Sequence, residues 1–288
     1  MKRIAATLVT GLALAGLTNA GEVVVNADIT TSTTWTANNV YDLRAQVYVT
    51  SGATLTIEAG TVIASSPGFD GALVVTKNGT IMANGTKEKP IVFTSVADRA
   101  TWVGDDPRTG NWRVAANEWG NVTIMGNAFM NDHNVVGNVS GCSAANRGNM
   151  EGLTRGTSDD QYGGGHDDGD RGVFKYVSLR YGGRAVLSAG ALNGLSLGAI
   201  GRDTDIHHID IMNNLDDGIE IWGGTVNLKY LNVWNVGDDS IDIDQGFRGK
   251  IQFALIVQGY SLPAAQGSGT GDNCFEVDGA EDCHWQPV

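Results

Sequence analysis

One acidic phrase is written three times in this chain: Asp216-Asp217-Gly218-Ile219-Glu220-Ile221, Asp238-Asp239-Ser240-Ile241-Asp242-Ile243 and Asp272-Asn273-Cys274-Phe275-Glu276-Val277. The first two copies lie 22 residues apart and the third follows 34 later, as if one unit carried a 12-residue insertion. A second phrase steps with it by 22: His208-Ile209-Asp210-Ile211-Met212, Tyr230-Leu231-Asn232-Val233-Trp234 and Gln252-Phe253-Ala254-Leu255-Ile256. A period of roughly 20 to 50 residues marks a solenoid or array. Each unit holds two short runs of β-branched and aromatic residues bounded by Gly, Asn and Asp, with no stretch of helical period. The expected fold is therefore all-β: a right-handed parallel β-helix, right being the common hand of such crossovers. Equivalent residues of successive coils then stand about 4.8 Å apart.

Stacking turns the acids into columns: Asp216, Asp238 and Asp272; Asp217, Asp239 and Asn273; Glu220, Asp242 and Glu276. Ile219, Ile241 and Phe275 face one side of the strand, with Ile221, Ile243 and Val277, so the acids between them face the other. Like charges at strand spacing repel, and three compensations stay open. A hard cation such as Ca²⁺ takes several carboxylate oxygens, which makes Asp216, Asp217, Glu220, Asp238, Asp239, Asp242 and Glu276 candidate calcium ligands. A shared proton raises one pKa of a pair. Turn-capping Asp side chains bond nearby backbone N–H groups and need no function.

Lys2 and Arg3 precede an apolar run from Ile4 to Leu17, and Thr18-Asn19-Ala20 offers the small residues a signal peptidase reads. Residues 1–20 are thus an expected secretory signal, and residues 21–288 a single β-helix domain. The apolar run is short for a membrane span, and no other long apolar stretch follows. Loss of Lys2 and Arg3 moves the formal net charge from −13 to −15, which disfavours nucleic acid and anionic membranes as partners. The 40 Gly and 5 Pro suit a Gly-punctuated all-β exported chain. Export invites a disulfide among Cys142, Cys274 and Cys283; Cys274 and Cys283 are close in sequence, yet connectivity stays open.

Val47–Ile63 is echoed by Leu73–Thr86 at a step of 26, and Lys89-Pro90-Ile91-Val92-Phe93-Thr94-Ser95 adds a strand. These are the expected early coils. From Asn131 to Gly172 apolar periodicity vanishes, which predicts a long excursion from the stack. Within it, Ser158 to Asp170 packs five Asp and His166 into thirteen residues and reads as a solvated acidic loop, since it lacks the ligand order of a twelve-residue calcium loop. The stack resumes at Gly172–Tyr181, where Lys175-Tyr176-Val177 echoes Lys229-Tyr230-Leu231. His207 and His208 point to opposite faces of a strand and read as surface and column residues rather than a metal pair.

The phrases Gly52–Ile63, Lys89–Ser95, Trp119–Gly126, Gly218–Val226 and Gly246–Phe253 resemble secreted bacterial right-handed β-helix proteins of the cell surface or outer membrane. The likeness runs from about residue 45 to the end; it implies fold and export and leaves activity open. Asn214-Leu215-Asp216-Asp217-Gly218 and Gly237-Asp238-Asp239-Ser240 are also similar to the paired acidic motifs of polygalacturonase-type glycoside hydrolases. That resemblance implies Asp217 and Asp238 as base-side carboxylates and Asp239 as general acid. The chain departs from the pattern one coil on, with Gly259-Tyr260-Ser261 in place of Gly-His-Gly and no Arg-x-Lys pair after it.

Two function classes follow. The first is an exported cell-surface or extracellular solenoid with a structural, adhesive or ligand-binding role, with polysaccharide or copies of itself as partner. Trp222, Trp234 and Tyr260 are its candidate sugar-stacking residues, and Lys229, Arg248 and Lys250 the expected partners of the acids. The second is a polysaccharide-active enzyme, a hydrolase or calcium-dependent lyase, working through Asp217, Asp238 and Asp239. The final His284-Trp285-Gln286-Pro287-Val288 offers no recognisable cap, which leaves a fragment, a cap in trans or end-to-end stacking as expectations.

Overall fold

The structure, a computed structural model, describes residues 21–131, 147–185, 191–259, 261–262 and 271–279. The expected leader at 1–20, Tyr260, Cys142, Cys283 and the final residues from 280 lie outside it. Two parallel sheets of eleven and seven strands carry nearly all the regular structure, as a right-handed parallel β-helix requires. No helix is long and apolar enough to cross a membrane among the described residues.

The seven-stranded sheet stacks Gln46–Val49, Ala72–Val75, Val122–Met125, Leu195–Gly198, Ile219–Trp222, Ile241–Asp244 and Glu276–Val277. Its register puts Val122, Leu195, Ile219 and Ile241 in one interior column and Ile124, Leu197, Ile221 and Ile243 in another. These β-branched and leucine side chains are almost all buried in one long apolar core. Each contributes about 1.5–3 kcal/mol by leaving water. Strand and coil are thus made by the same residues: alternation gives the strand, and repetition at the coil period gives the column.

The eleven-stranded sheet begins as two faces, Gly21–Val25, Asn39–Leu43, Val62–Ser65 and Ile91–Ser95 on one, Thr33–Trp35, Thr54–Ile57 and Thr80–Asn84 on the other. Gly172–Arg180 joins them, pairing through Gly172–Lys175 with Thr80–Asn84 and through Val177–Leu179 with Ile91–Ser95. The later coils keep this fused, bent strand in Asp205–Met212, Asn227–Trp234 and Lys250–Val257. The bend falls at Tyr176, His208, Tyr230 and Phe253, whose φ values of 49°, 55°, 57° and 64° are left-handed. Such values are strained for bulky residues, and here the rings repay the strain by stacking on one another, with centroids 4.2, 4.4 and 5.2 Å apart down the column.

Phe253, not Gln252, therefore lies beneath Tyr230. The step of 22 gives way to 23 because the corner between Asp244 and Lys250 holds one residue more than that between Trp222 and Asn227. The predicted orientation of the hydrophobic columns holds for Ile219, Ile221, Ile241 and Ile243; in the last coil Phe275 and Val277 are 47% and 64% exposed.

The expected solvated acidic loop, Ser158–Asp170, is exposed around His166, Asp168 and Asp170 but buries Asp160 and Tyr162. Met150, Leu153 and Tyr162 pack on the outer face of the seven-stranded sheet, forming a second apolar cluster with Tyr48, Val74, Met125 and Trp222. Asp160 is buried and accepts from the Tyr48 hydroxyl at 2.7 Å, while Arg155 lies 3.5 Å over the Tyr48 ring and pairs with Asp28 at 2.8 Å. Asp167 is tied to Arg248 at 2.7 Å. Only a few apolar residues at irregular spacing make this cover, so no period betrays it.

Candidate functional site

The acidic phrase sits at the corner where each bent strand turns into the seven-stranded sheet. Asn213 and Asn235 open that corner in left-handed conformation, with φ of 58° and 53°. They form an amide ladder: Asn235 Nδ2 donates to Asn213 Oδ1 at 3.1 Å, and Asn213 Nδ2 to the carbonyls of Arg113 and Ala115 at 2.7 and 3.1 Å. Ser261 Oγ adds a donor to Asn235 Oδ1 at 2.8 Å. The Asn214 amide, one residue on, bonds the carbonyls of Asp217 and Leu192 at 2.8 and 3.0 Å and so holds the acidic turn in place.

Within the turn the two Asp of each pair do different things. The second is a cap on the next coil: Asp217 Oδ1 accepts the Asp239 N–H at 2.9 Å, and Asp239 Oδ1 the Asn273 N–H at 2.6 Å. Gly218 permits this close stacking, because a Cβ there would fall 2.5 Å from the Ser240 carbonyl oxygen and from Val233 Cγ1. The first Asp is left over. Asp216 is 0% exposed with no hydrogen-bond partner on either carboxylate oxygen, and Asp238, 4% exposed, has none on Oδ1. Ligand atoms of Asp216, Asp217 and Asp238 lie within 4.8 Å of one another, as do those of Asp238, Asp239 and Asp272, and of Asp217, Glu220 and Asp242.

The electrostatics follow from that crowding. Burial, then the charges of Glu151, Asp239 and Asp242, pushes Asp216 up to about 7. Burial, then Asp216, Asp239 and Asp272, does the same to Asp238, also to about 7. Burial is likewise the first cause that raises Asp217 and Glu220 well above the usual carboxylate range. Glu276 is pushed up to about 8 mainly by a carboxyl–carboxyl hydrogen bond with Asp239. Of the three compensations foreseen in the sequence, capping is seen at Asp217 and Asp239 and the Glu276–Asp239 contact favours a shared proton, while Asp216 and Asp238 Oδ1 are left without hydrogen-bond partners.

The cations expected to neutralise the corner are elsewhere. Arg248 pairs with Asp167, and Lys229 and Lys250 are exposed on the eleven-stranded sheet, lining grooves with Asn227 and Gln252. Both sit near the start of a bent strand, whereas the acidic corner follows its end. His207 and His208 do not point to opposite faces as expected: the left-handed φ of 55° at His208 breaks the alternation, their Nδ1 atoms lie 2.6 Å apart and both rings pack on Tyr176, His208 stacked in the aromatic column and His207 edge-on beside a groove.

Of the three aromatic candidates, Trp222 is 6% exposed and packs on Tyr162, so it is not available to a sugar. Trp234 is 42% exposed and stacks on Trp112 at 6.3 Å, itself 45% exposed. Tyr260 lies outside the described residues. The structure adds Tyr230 and Phe253, 47% and 58% exposed, at the bends of the strand that carries Trp234 and of the next one. Beside them run grooves of about 380 Å³, lined by Arg202, His207, Lys229 and Tyr230, and about 620 Å³, lined by Lys229, Lys250 and Gln252. Tyr230 and Phe253 were legible as members of the repeated phrase; Trp112, far away in sequence, was not.

A family model described as a pectate-lyase like beta helix domain matches residues 27–280. Comparison with curated proteins and with solved structures returns no match.

Proposed function

The chain belongs to the pectate-lyase-like β-helix family, and on that premise we propose that it is an exported solenoid that binds polysaccharide on the outer face of its last bent strands. The observation that carries this reading is two half-exposed aromatic pairs at these strands, Trp112 with Trp234 and Tyr230 with Phe253, the second beside exposed Lys229 and Lys250. Exposed apolar surface marks interaction sites in soluble proteins, and Trp and Tyr combine an apolar ring with a polar edge that suits sugars. Within the column the rings cover one another's faces, so among the described residues the open ring surface is at Phe253, the last of the column, and at Trp112 and Trp234. Two lysines on an otherwise acidic chain favour a glycan that carries carboxylates.

Catalysis through Asp217, Asp238 and Asp239 is the less supported reading. All three are at most 4% exposed, and two of them spend an oxygen on capping the next coil. Gel retardation through immobilised polyuronates and neutral glycans tests the choice. Binding of a polyuronate, weakened about tenfold (about 1.4 kcal/mol) by Trp234→Ala or Phe253→Ala, is the expected result, with no sugar released. No retardation by any glycan overturns the proposal. Release of reducing or unsaturated sugars that vanishes in Asp239→Asn would replace it with the enzyme reading.

A further inference from the structure

The acidic corner contains more buried carboxylate than its hydrogen bonds account for. Moving an ionised carboxylate out of water is costly unless it is paired, hydrogen-bonded or bound to a metal. Asp217 and Asp239 meet backbone N–H groups. Asp216 meets none on either oxygen although it is fully buried, and Asp238 Oδ1 is in the same position. Among the described residues no Lys or Arg forms an ion pair with Asp216, Asp217 or Asp238; Arg248, expected as a partner, is engaged by Asp167.

We infer that Asp216, Asp217 and Asp238 hold one calcium-sized divalent cation that clamps the coil of Ile219–Trp222 to the coil of Ile241–Asp244. The geometry fits the ion. Ligand atoms of the three lie within 4.8 Å of one another, close enough for one cation to be shared, and calcium, at about 2.3–2.6 Å with flexible geometry, suits a dry carboxylate site better than magnesium, which keeps its waters. The donor set is all oxygen, as a hard cation prefers. Asn193, one coil from Asp217, turns its amide to Glu220 Oε2 and lies outside the ligand set. Burial distinguishes this ion from one that bridges protein to substrate, because no face of Asp216 is open to a polymer.

Calcium titration of chelator-treated protein, followed by calorimetry and thermal melting, tests the site. Wild type is expected to bind one equivalent of Ca²⁺ and to melt higher as Ca²⁺ is raised, because the ion binds only the folded form; Mg²⁺ should act weakly. Asp216→Asn should melt higher than wild type without Ca²⁺, since it removes an unmatched buried charge, and should lose the calcium shift. A calcium shift of equal size in Asp216→Asn overturns the assignment. If that variant fails to fold, equilibrium dialysis of wild type decides alone: about one bound Ca²⁺ per chain at millimolar free ion supports the site, and none overturns it.

Discussion

Two polar ladders climb the same corner of the solenoid a few residues apart, and they behave in opposite ways. In the amide ladder Asn235 donates to Asn213, which donates to the carbonyls of Arg113 and Ala115. An amide carries both donor and acceptor, so a column of amides can satisfy itself at strand spacing. The carboxylate ladder is acceptor-only. Backbone N–H groups satisfy Asp217 and Asp239, one oxygen each, and nothing of that kind reaches Asp216. The same repeat geometry that closes one column therefore leaves the other in need of protons or a cation from outside.

The largest expected effect is on pH dependence without divalent cations. Asp216 and Asp238 titrate near 7 in the fold, first through burial, and near 4 in an unfolded chain. Between those values the folded protein holds protons the unfolded chain has lost, so stability falls as pH rises from about 4 to about 7 and levels off above. At roughly 1.4 kcal/mol per pKa unit, each group can contribute on the order of 4 kcal/mol to that loss. Urea denaturation in chelator at several pH values should show it, and saturating Ca²⁺ should flatten the curve. A flat profile in chelator would mean the two ladders are equally well satisfied.

Next in size is a swap that makes the amide ladder acidic. Asn213→Asp keeps a residue that tolerates a left-handed backbone but removes the donor to two carbonyls and buries a charge in a site that is 0% exposed. The expected cost is about 3 kcal/mol, read as a lower urea midpoint with unchanged slope. A neutral result would show that amide donors do not hold this corner.

The contrast also explains what the sequence revealed. Coil, columns and corner followed from the period alone, because Asp217, Asp239 and Asn273 recur at the same phase of a two-residue strand alternation, and the register bears this out. What each Asp does was not readable. Asp216 and Asp217 are adjacent and chemically identical, and only the path of the turn decides which one meets an N–H. The cover over the second sheet was hidden for a different reason: Met150, Leu153 and Tyr162 act through contacts with Tyr48 and Trp222, distant in sequence and without a period. Trp222 looked like a sugar platform and is buried by that cover, whereas its counterpart Trp234, on the uncovered face, stayed open.

The smallest effect separates capping from charge. Asp217→Asn retains an oxygen for the Asp239 N–H and removes one of the crowded charges, so without cations its stability should stay within about 0.5 kcal/mol of wild type or rise slightly. Asp217→Ala leaves a buried N–H without an acceptor and should cost about 1–2 kcal/mol. If Asn were as costly as Ala, the cap on Asp239 would need the carboxylate's charge and not merely an acceptor oxygen. If only the calcium response weakens in Asp217→Asn, the residue serves both ladders: one oxygen holds the next coil and the other faces the ion.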